Sequence, residues 1–261
     1  MGTVYIERDV IKVKKKYEVV AITIIVLLLL FFINNNISTR SKSILANNYL
    51  DNNNKVIYLT FDDGPTTPIT DKILDILKEK KVKATFFVIG KKVKIKEMLI
   101  KRIYKEGNGI GLHSYTHDYS KIYSSHKAFI EEMDKSADEI YDVLGIRPVI
   151  IRFPTGSIGH LNKTLYKKLN EKNYRIYDWN ARITDGVNPN KSPEAYYKEA
   201  IKTGEKWSTV FMLMHCDALN LNTCKALPRI IDYYKDKHYT FKIIDKNTPE
   251  YFFRFEKKKR N

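Results

Sequence analysis

From Val56 onward, short apolar runs alternate with longer segments in which apolar residues return every three or four positions. The short runs are VIYLTF, ATFFVIG, GIGLH, PVIIRF, RIYDW, TVFMLMH and YTFKII, rich in β-branched and aromatic residues as strands are. Between them lie ITDKILDILKEKK, VKIKEMLIKRIYKEG, SHKAFIEEMDKSADEIYDVLG, LNKTLYKKLNEKN, PEAYYKEAIKTG and TCKALPRIIDYYKDK. In the first of these, Ile69, Ile73, Ile76 and Leu77 share one face opposite Lys72 and Lys78, the signature of an amphipathic helix. Strand–helix alternation with short connections builds parallel βα units. The expected fold class is α/β, a closed or nearly closed (β/α) barrel of about seven parallel strands. A doubly wound open sheet is the alternative, because closure leaves no mark in a sequence.

Ahead of this rhythm the pattern changes. Val19 to Ile33 is apolar apart from Thr23, and Lys14, Lys15 and Lys16 stand just before it. That stretch spans somewhat less than a bilayer core of about 30 Å, with Tyr17 and the following asparagines at the interfaces. A cleavable signal peptide shares this layout, but no small-x-small site follows. Arg8, Lys12 and Lys14 to Lys16 outweigh Arg40 and Lys42, which by the positive-inside rule places the N-terminus in the cytoplasm. The expected organisation is a basic cytoplasmic segment over 1–16, a single transmembrane signal-anchor helix over 17–34 and a polar, Asn-rich linker over 35–55. An outer domain over 56–261 follows.

Composition changes this picture only in part. The 261 residues carry a formal net charge of +16. A polyanionic neighbour suits such a balance, whether nucleic acid, anionic lipid or an acidic wall polymer. The lysines are scattered and no nucleic-acid motif accompanies them, so nucleic acid is not an expected partner, and no protein partner is indicated. Two cysteines, Cys216 and Cys224, lack metal-site spacing and read as free structural thiols.

Candidate chemistry gathers where strands are expected to end, which is where β/α barrels place their active sites. Asp62 and Asp63 close the first run, His113 the third, Arg152 the fourth, Asp178-Trp179 the fifth and His215 the sixth of the polar-ended runs. Asp-Gly-Pro punctuation explains one turn, but not a His, an Arg and another His at equivalent places. His113 and His117, four apart, bring two imidazoles to one side of a turn. With one carboxylate they make a His₂Asp set with coordination positions left open, for which Zn2+ is the default and Co2+, Ni2+ or Mn2+ are alternatives. An open-site metal acidifies a bound water and polarises a carbonyl. The second carboxylate is then a general base, Arg152 a cation that orients it, and His215 an acid for the leaving group.

The motifs TFDDGP, HSYTH, RFPTGS, DWNARITDG and LMH, in this order, resemble those of the polysaccharide deacetylases, carbohydrate esterase family four. The resemblance runs from about Val56 to about Ile244 and implies a distorted (β/α) barrel, consistent with about seven parallel strands. It implies a metal-dependent hydrolase with Asp62 as catalytic base, Asp63, His113 and His117 as metal ligands, and His215 as catalytic acid. It further implies Arg152 and Asp185 as the residues tuning base and acid, Leu213 in the acetate pocket and the Thr155 N–H beside the oxyanion. Gly186 stands where the family usually has Trp, so Trp179 or Tyr115 are candidates for that aromatic wall. Ile151, Thr155 and Cys216 also depart from the pattern without removing a ligand, the base or the acid. The expected activity is removal of N-acetyl groups from amino sugars of a cell-surface polysaccharide, above all peptidoglycan N-acetylglucosamine, by an extracellular domain anchored in the cell membrane. The alternatives are a non-catalytic glycan-binding barrel, or the same chemistry on a chitin-like oligomer, an exopolysaccharide or xylan.

Overall fold

The computed structural model of the chain describes residues 55–253. The anchor expected over 17–34 and nearly all of the linker lie outside the described residues. Among those described, no helix is long and apolar enough to cross a membrane.

Strand β1 (Val56–Asp62) is the centre of the sheet. It pairs in parallel with β7 (Thr209–His215) over its whole length, from Val56 opposite Thr209 to Asp62 opposite His215. On its other edge lies β2 (Thr85–Val88), followed by β3 (Gly109–Leu112), β4 (Ile150–Ile151) and β5 (Arg175–Ile176), all parallel. Beyond β7 lies β6 (Ala181–Arg182), and β8 (Thr240–Phe241) pairs with the first two residues of β1. The path therefore reads β5-β4-β3-β2-β1-β7-β6.

Its two end strands are joined by residues 177–180 alone. Five Cα steps reach at most about 18 Å. The ends of a flat seven-stranded sheet would stand about 29 Å apart at about 4.8 Å per strand. The sheet must curl until its edges approach, giving the distorted barrel rather than the doubly wound sheet. Residues 250–253 lie along the edge of β5: Glu250 accepts from the Ile176 N–H, Tyr251 bridges to Tyr177, and the Phe253 N–H donates to Asp178.

Strand alternation sorts the core into two parts. Ile57, Leu59 and Phe61 of β1 face the helices, with Val210, Met212 and Met214 of β7. Tyr58 faces inward, where Phe87, Ile150, Tyr177, Phe211 and Ile244 form a smaller interior cluster. Continuing inward at every second residue, β1 offers Thr60 and then Asp62, and β7 offers Leu213 and then His215. The same period that plugs the barrel with aromatic rings thus raises a polar layer at its mouth.

The helices follow the sequence pattern closely. They are α1 (Ile69–Glu79), α2 (Gly90–Val93), α3 (Glu97–Lys105), α4 (Tyr119–Ile122), α5 (His126–Leu144), α6 (Lys163–Glu171), α7 (Pro193–Gly204) and α8 (Leu221–Asp236). Ser125, Asn162 and Ser192 cap α5, α6 and α7 with their side-chain oxygens. Two expectations need correction. The single helix read over VKIKEMLIKRIYKEG breaks between α2 and α3, because Val93 and Ile95 lie two apart and Ile95 is exposed rather than on the buried face. The run RIYDW is not one strand: it leaves the sheet after Ile176 and rejoins it on the far edge as β6.

Candidate active site

The βα turn after β1 separates the two carboxylates at once. Asp62 is the last residue of β1 and keeps the strand's inward direction, with 2% exposure. Asp63 takes a left-handed backbone, φ 72°, which turns its side chain toward the loop after β3. Ser114, His117 and Thr155 share that conformation, so four of the seven non-glycine residues with positive φ among those described lie at this mouth. Such residues cost on the order of 1 kcal/mol each and persist where the surroundings hold them.

Arg152, fully buried, is the centre of the polar layer. Its N–H donates to the Leu112 carbonyl, so strand register sets it beside His113. Its Nη1 donates to Asp62 Oδ1 at 2.9 Å and to Thr60 Oγ1 at 2.6 Å. Nε and Nη2 donate to the carbonyls of Tyr177 and Asp178, and the guanidinium lies 4.1 Å above the Phe87 ring. A buried charge pair is tolerable when its polar atoms are well partnered, and here each guanidinium nitrogen donates at least once.

Asp63 meets the opposite surroundings. Its Oδ1 is buried, 3.1 Å from His117 Nε2 and 3.4 Å from His113 Nε2, yet it accepts no well-aligned hydrogen bond among the described residues. His113 Nδ1 lies 3.0 Å from the Arg152 carbonyl, which can only accept, so Nδ1 carries the proton and Nε2 offers a lone pair. Burial pushes the His113 imidazolium down from its usual range, keeping it neutral. Burial also opposes ionisation of Asp63, but the imidazoles beside it outweigh burial and hold the carboxyl well below the usual range. One donor atom from each of Asp63, His113 and His117 lies within 4.8 Å of the others. A carboxylate oxygen with no hydrogen bond and one nitrogen from each of two imidazoles, gathered at one point, fit a divalent cation, and the set leaves positions open.

Across the mouth, His215 Nδ1 lies 2.8 Å from Asp185 Oδ1, and the His215 N–H donates to Asp185 Oδ2. Thr223 of α8 donates to the same Oδ2, and Asn220 Nδ2 donates to the Asp185 carbonyl. Burial pulls the imidazolium down, but the hydrogen bond and charge of Asp185, with the charges of Asp62 and Asp63, raise His215 to about 9. It is an imidazolium at neutral pH.

A cavity of about 410 Å³ opens between these groups. Asp62, Asp63, His113, His117, Thr155, Trp179, Leu213 and His215 all line it, whereas Arg152 and Asp185 stand behind as buried supports. Tyr115 does not line it: its ring lies under Lys135 Nζ at 3.8 Å, and its backbone N–H donates to Glu132. Tyr119, Arg182, Ile183, Thr184 and Val187 also line the cavity and were not anticipated. Tyr119 meets the His117 ring edge-on at 5.3 Å. A larger surface groove of about 970 Å³ between α1 and α3 is dominated by lysines and offers no such convergence of carboxylate and imidazole. The smaller cavity is where the chemistry lies.

A base held by an arginine, a cation site and a protonated histidine around one cavity suit hydrolysis of an acyl bond. Known proteins agree. Residues 50–177 match the family described as polysaccharide deacetylase. A peptidoglycan-N-acetylglucosamine deacetylase of Bacillus cereus is 35% identical over 190 residues, 72% of this chain and 68% of the relative. A peptidoglycan-N-acetylmuramic acid deacetylase of Bacillus subtilis is 32% identical over 200 residues, 76% of this chain and 73% of the relative. The catalytic domain of a peptidoglycan N-acetylglucosamine deacetylase from Eubacterium rectale superposes with a TM-score of 0.71 at 29% identity, covering 79% of this chain and 96% of that one. With relatives this similar over most of their length, the chain belongs to the polysaccharide deacetylase family, carbohydrate esterase family four, whose members are hydrolytic deacetylases.

Proposed function

We propose that the protein removes the N-acetyl group from N-acetylglucosamine units of peptidoglycan, as an extracellular domain held to the cell membrane by the anchor at 17–34. The observation that carries the chemistry is the unequal partnering of the two adjacent carboxylates. Asp62 is gripped by Arg152, while the Asp63 oxygen is left unpaired between two imidazoles. The polymer is argued from the peptidoglycan deacetylases among the relatives, from the anchor pattern and from a net charge of +16 that suits an anionic wall.

Asp63, His113 and His117 would hold a divalent metal, most simply Zn2+, which when bound acidifies water and polarises the acetamide carbonyl. The protein's own residues do the rest. Asp62, kept ionised and oriented by Arg152, accepts a proton as water adds to the acetamide carbon. The Thr155 N–H is the backbone donor beside the carbonyl oxygen, and Leu213 receives the acetate methyl. His215, protonated and held by Asp185, gives its proton to the departing nitrogen as the carbon–nitrogen bond breaks. Acetate and a free amine result.

The test is acetate release by the full chain in detergent, from peptidoglycan and from chitooligosaccharides, after chelation and after zinc is restored. Release from peptidoglycan that returns with zinc, and falls about 100-fold or more in Asp62→Asn, is the expected result. Release from chitooligosaccharides alone would move the substrate to another polymer. Zinc binding with no release from either would leave a glycan-binding barrel without turnover.

A further inference from the structure

A second groove, of about 510 Å³, runs from the active-site cavity down the side of the barrel. The two cavities share Trp179 and Arg182, so they lie side by side with these two side chains between them. The groove follows the place where β5 and β6 fail to pair, between Trp179 at the mouth and Trp207 just before β7. Its walls mix aromatic faces with cations. Trp207 is 39% exposed, and Phe253 meets Trp179 edge-on at 5.3 Å. Arg182, Lys202 and Lys206 are exposed along it, and among the described residues no carboxylate lines it. None of the three has an ion pair among the described residues, and Lys206 instead lies 5.4 Å from the Trp207 ring. Flat aromatic faces suit the apolar faces of sugar rings, and unpaired cations suit an anion.

We infer that this groove binds the glycan strand next to the reacting sugar and selects units that carry a carboxylate substituent. This rests on the deacetylase reading and deepens it. The occupant is one continuous strand: its reacting unit sits over Asp62 and His215, and its acidic neighbour lies between Trp179 and Trp207 with its carboxylate toward Lys202 and Lys206. A neutral homopolymer would gain the aromatic contacts and leave the three cations unanswered.

The chain's only two tryptophans both line this groove, so its own fluorescence reports occupancy. The experiment titrates the chelated full chain in detergent with three probes. They are a peptidoglycan-derived tetrasaccharide with free lactyl carboxylates, its methyl ester, and chitotetraose. Tightest binding of the free acid is expected. The Lys202→Gln, Lys206→Gln double variant should weaken that probe about five-fold, from two exposed ion pairs, and leave the ester and chitotetraose within about two-fold. Added salt should reduce the preference for the free acid in the natural chain and have little effect on the variant. Trp207→Phe should remove most of the fluorescence change. Equal binding of acid and ester, or equal loss for all three probes in the double variant, would overturn the assignment. Acetate release from the same probes, measured with zinc restored, keeps the two readings apart. Release without charge discrimination sinks the groove alone, and discrimination without release from any probe sinks the deacetylase reading alone.

Discussion

At the scale of single residues, Gly186 shows how a departure from a family pattern can have a local cause. A Cβ built there would lie 2.5 Å from His215 Nε2 and 2.8 Å from Nδ1, inside contact distance. Its backbone is not in the glycine-only region, so what strains Gly186→Ala first is the imidazole. The ring must swing from Asp185, and the expected result is a fall in kcat of about 100-fold. Unaltered kcat would show that the ring has room. The Asp185–His215 pair also predicts a pH profile. His215 is raised above its ordinary value by Asp185, so acetate release should hold through neutral pH and decline on the alkaline side as the acid deprotonates. A cation at Asp63 offsets the carboxylate share of that rise, but the Asp185 share persists. Asp185→Asn removes it and should move the alkaline limb down by about one pH unit or more. For stability the sign is the same. A folded pKa above the unfolded value of about 6.5 stabilises the fold fully below that value, and the contribution is lost as pH rises through about 9. A kcat profile of Asp185→Asn that keeps the original alkaline limb would show that another group sets it.

Secondary-structure elements place these residues, and one of them does so from a distance that sequence spacing hides. Glu132, on α5, accepts from the backbone N–H groups of Tyr115 and Thr116 and from the Thr116 hydroxyl. That carboxylate clamps the turn whose left-handed residues Ser114 and His117 carry the second imidazole to the first. Glu132→Ala keeps a good helix former in α5 while freeing the turn. Metal affinity should fall about ten-fold or more, with helical content unchanged. Isothermal titration with zinc, beside a far-ultraviolet spectrum, checks it, and unchanged affinity would assign the clamp to folding alone. Glu132 was illegible because it acts through backbone amides of a distant loop, whereas Asp62, Asp63, His113 and His215 were legible because they close apolar runs, and His117 because it stands four residues after His113. Strands β1, β2, β3 and β7 were legible for the same reason, being buried on both faces. The two-residue β6 was not, since Ala181 and Arg182 have no alternation to show and pair only because the sheet curls. Tyr115 misled in the other direction: its place in the HSYTH motif suggests the cavity, but the turn sends its ring under Lys135.

For the molecule as a whole, the cation site ties together parts of the barrel that the sheet alone connects loosely. Asp63 follows β1, whereas His113 and His117 follow β3, with β2 between them. Without an ion, the Asp63 oxygen is buried with no hydrogen bond, which is a cost the folded state carries and the unfolded chain does not. An ion that binds only the folded chain stabilises it by mass action, by about 2.7 kcal/mol at a free concentration 100 times the dissociation constant. For a domain of this size that corresponds to a rise in melting temperature of about 5–10 °C. The chelated full chain should show that rise when zinc is restored. His117→Ala removes one ligand and should abolish it, whereas Asp62→Asn, which leaves the three ligands in place, should retain most of it while losing turnover. That contrast separates the roles of the two adjacent carboxylates in one thermal experiment. Loss of the zinc-dependent rise in Asp62→Asn as well would mean that both carboxylates hold the ion, and the base would have to be sought elsewhere in the cavity.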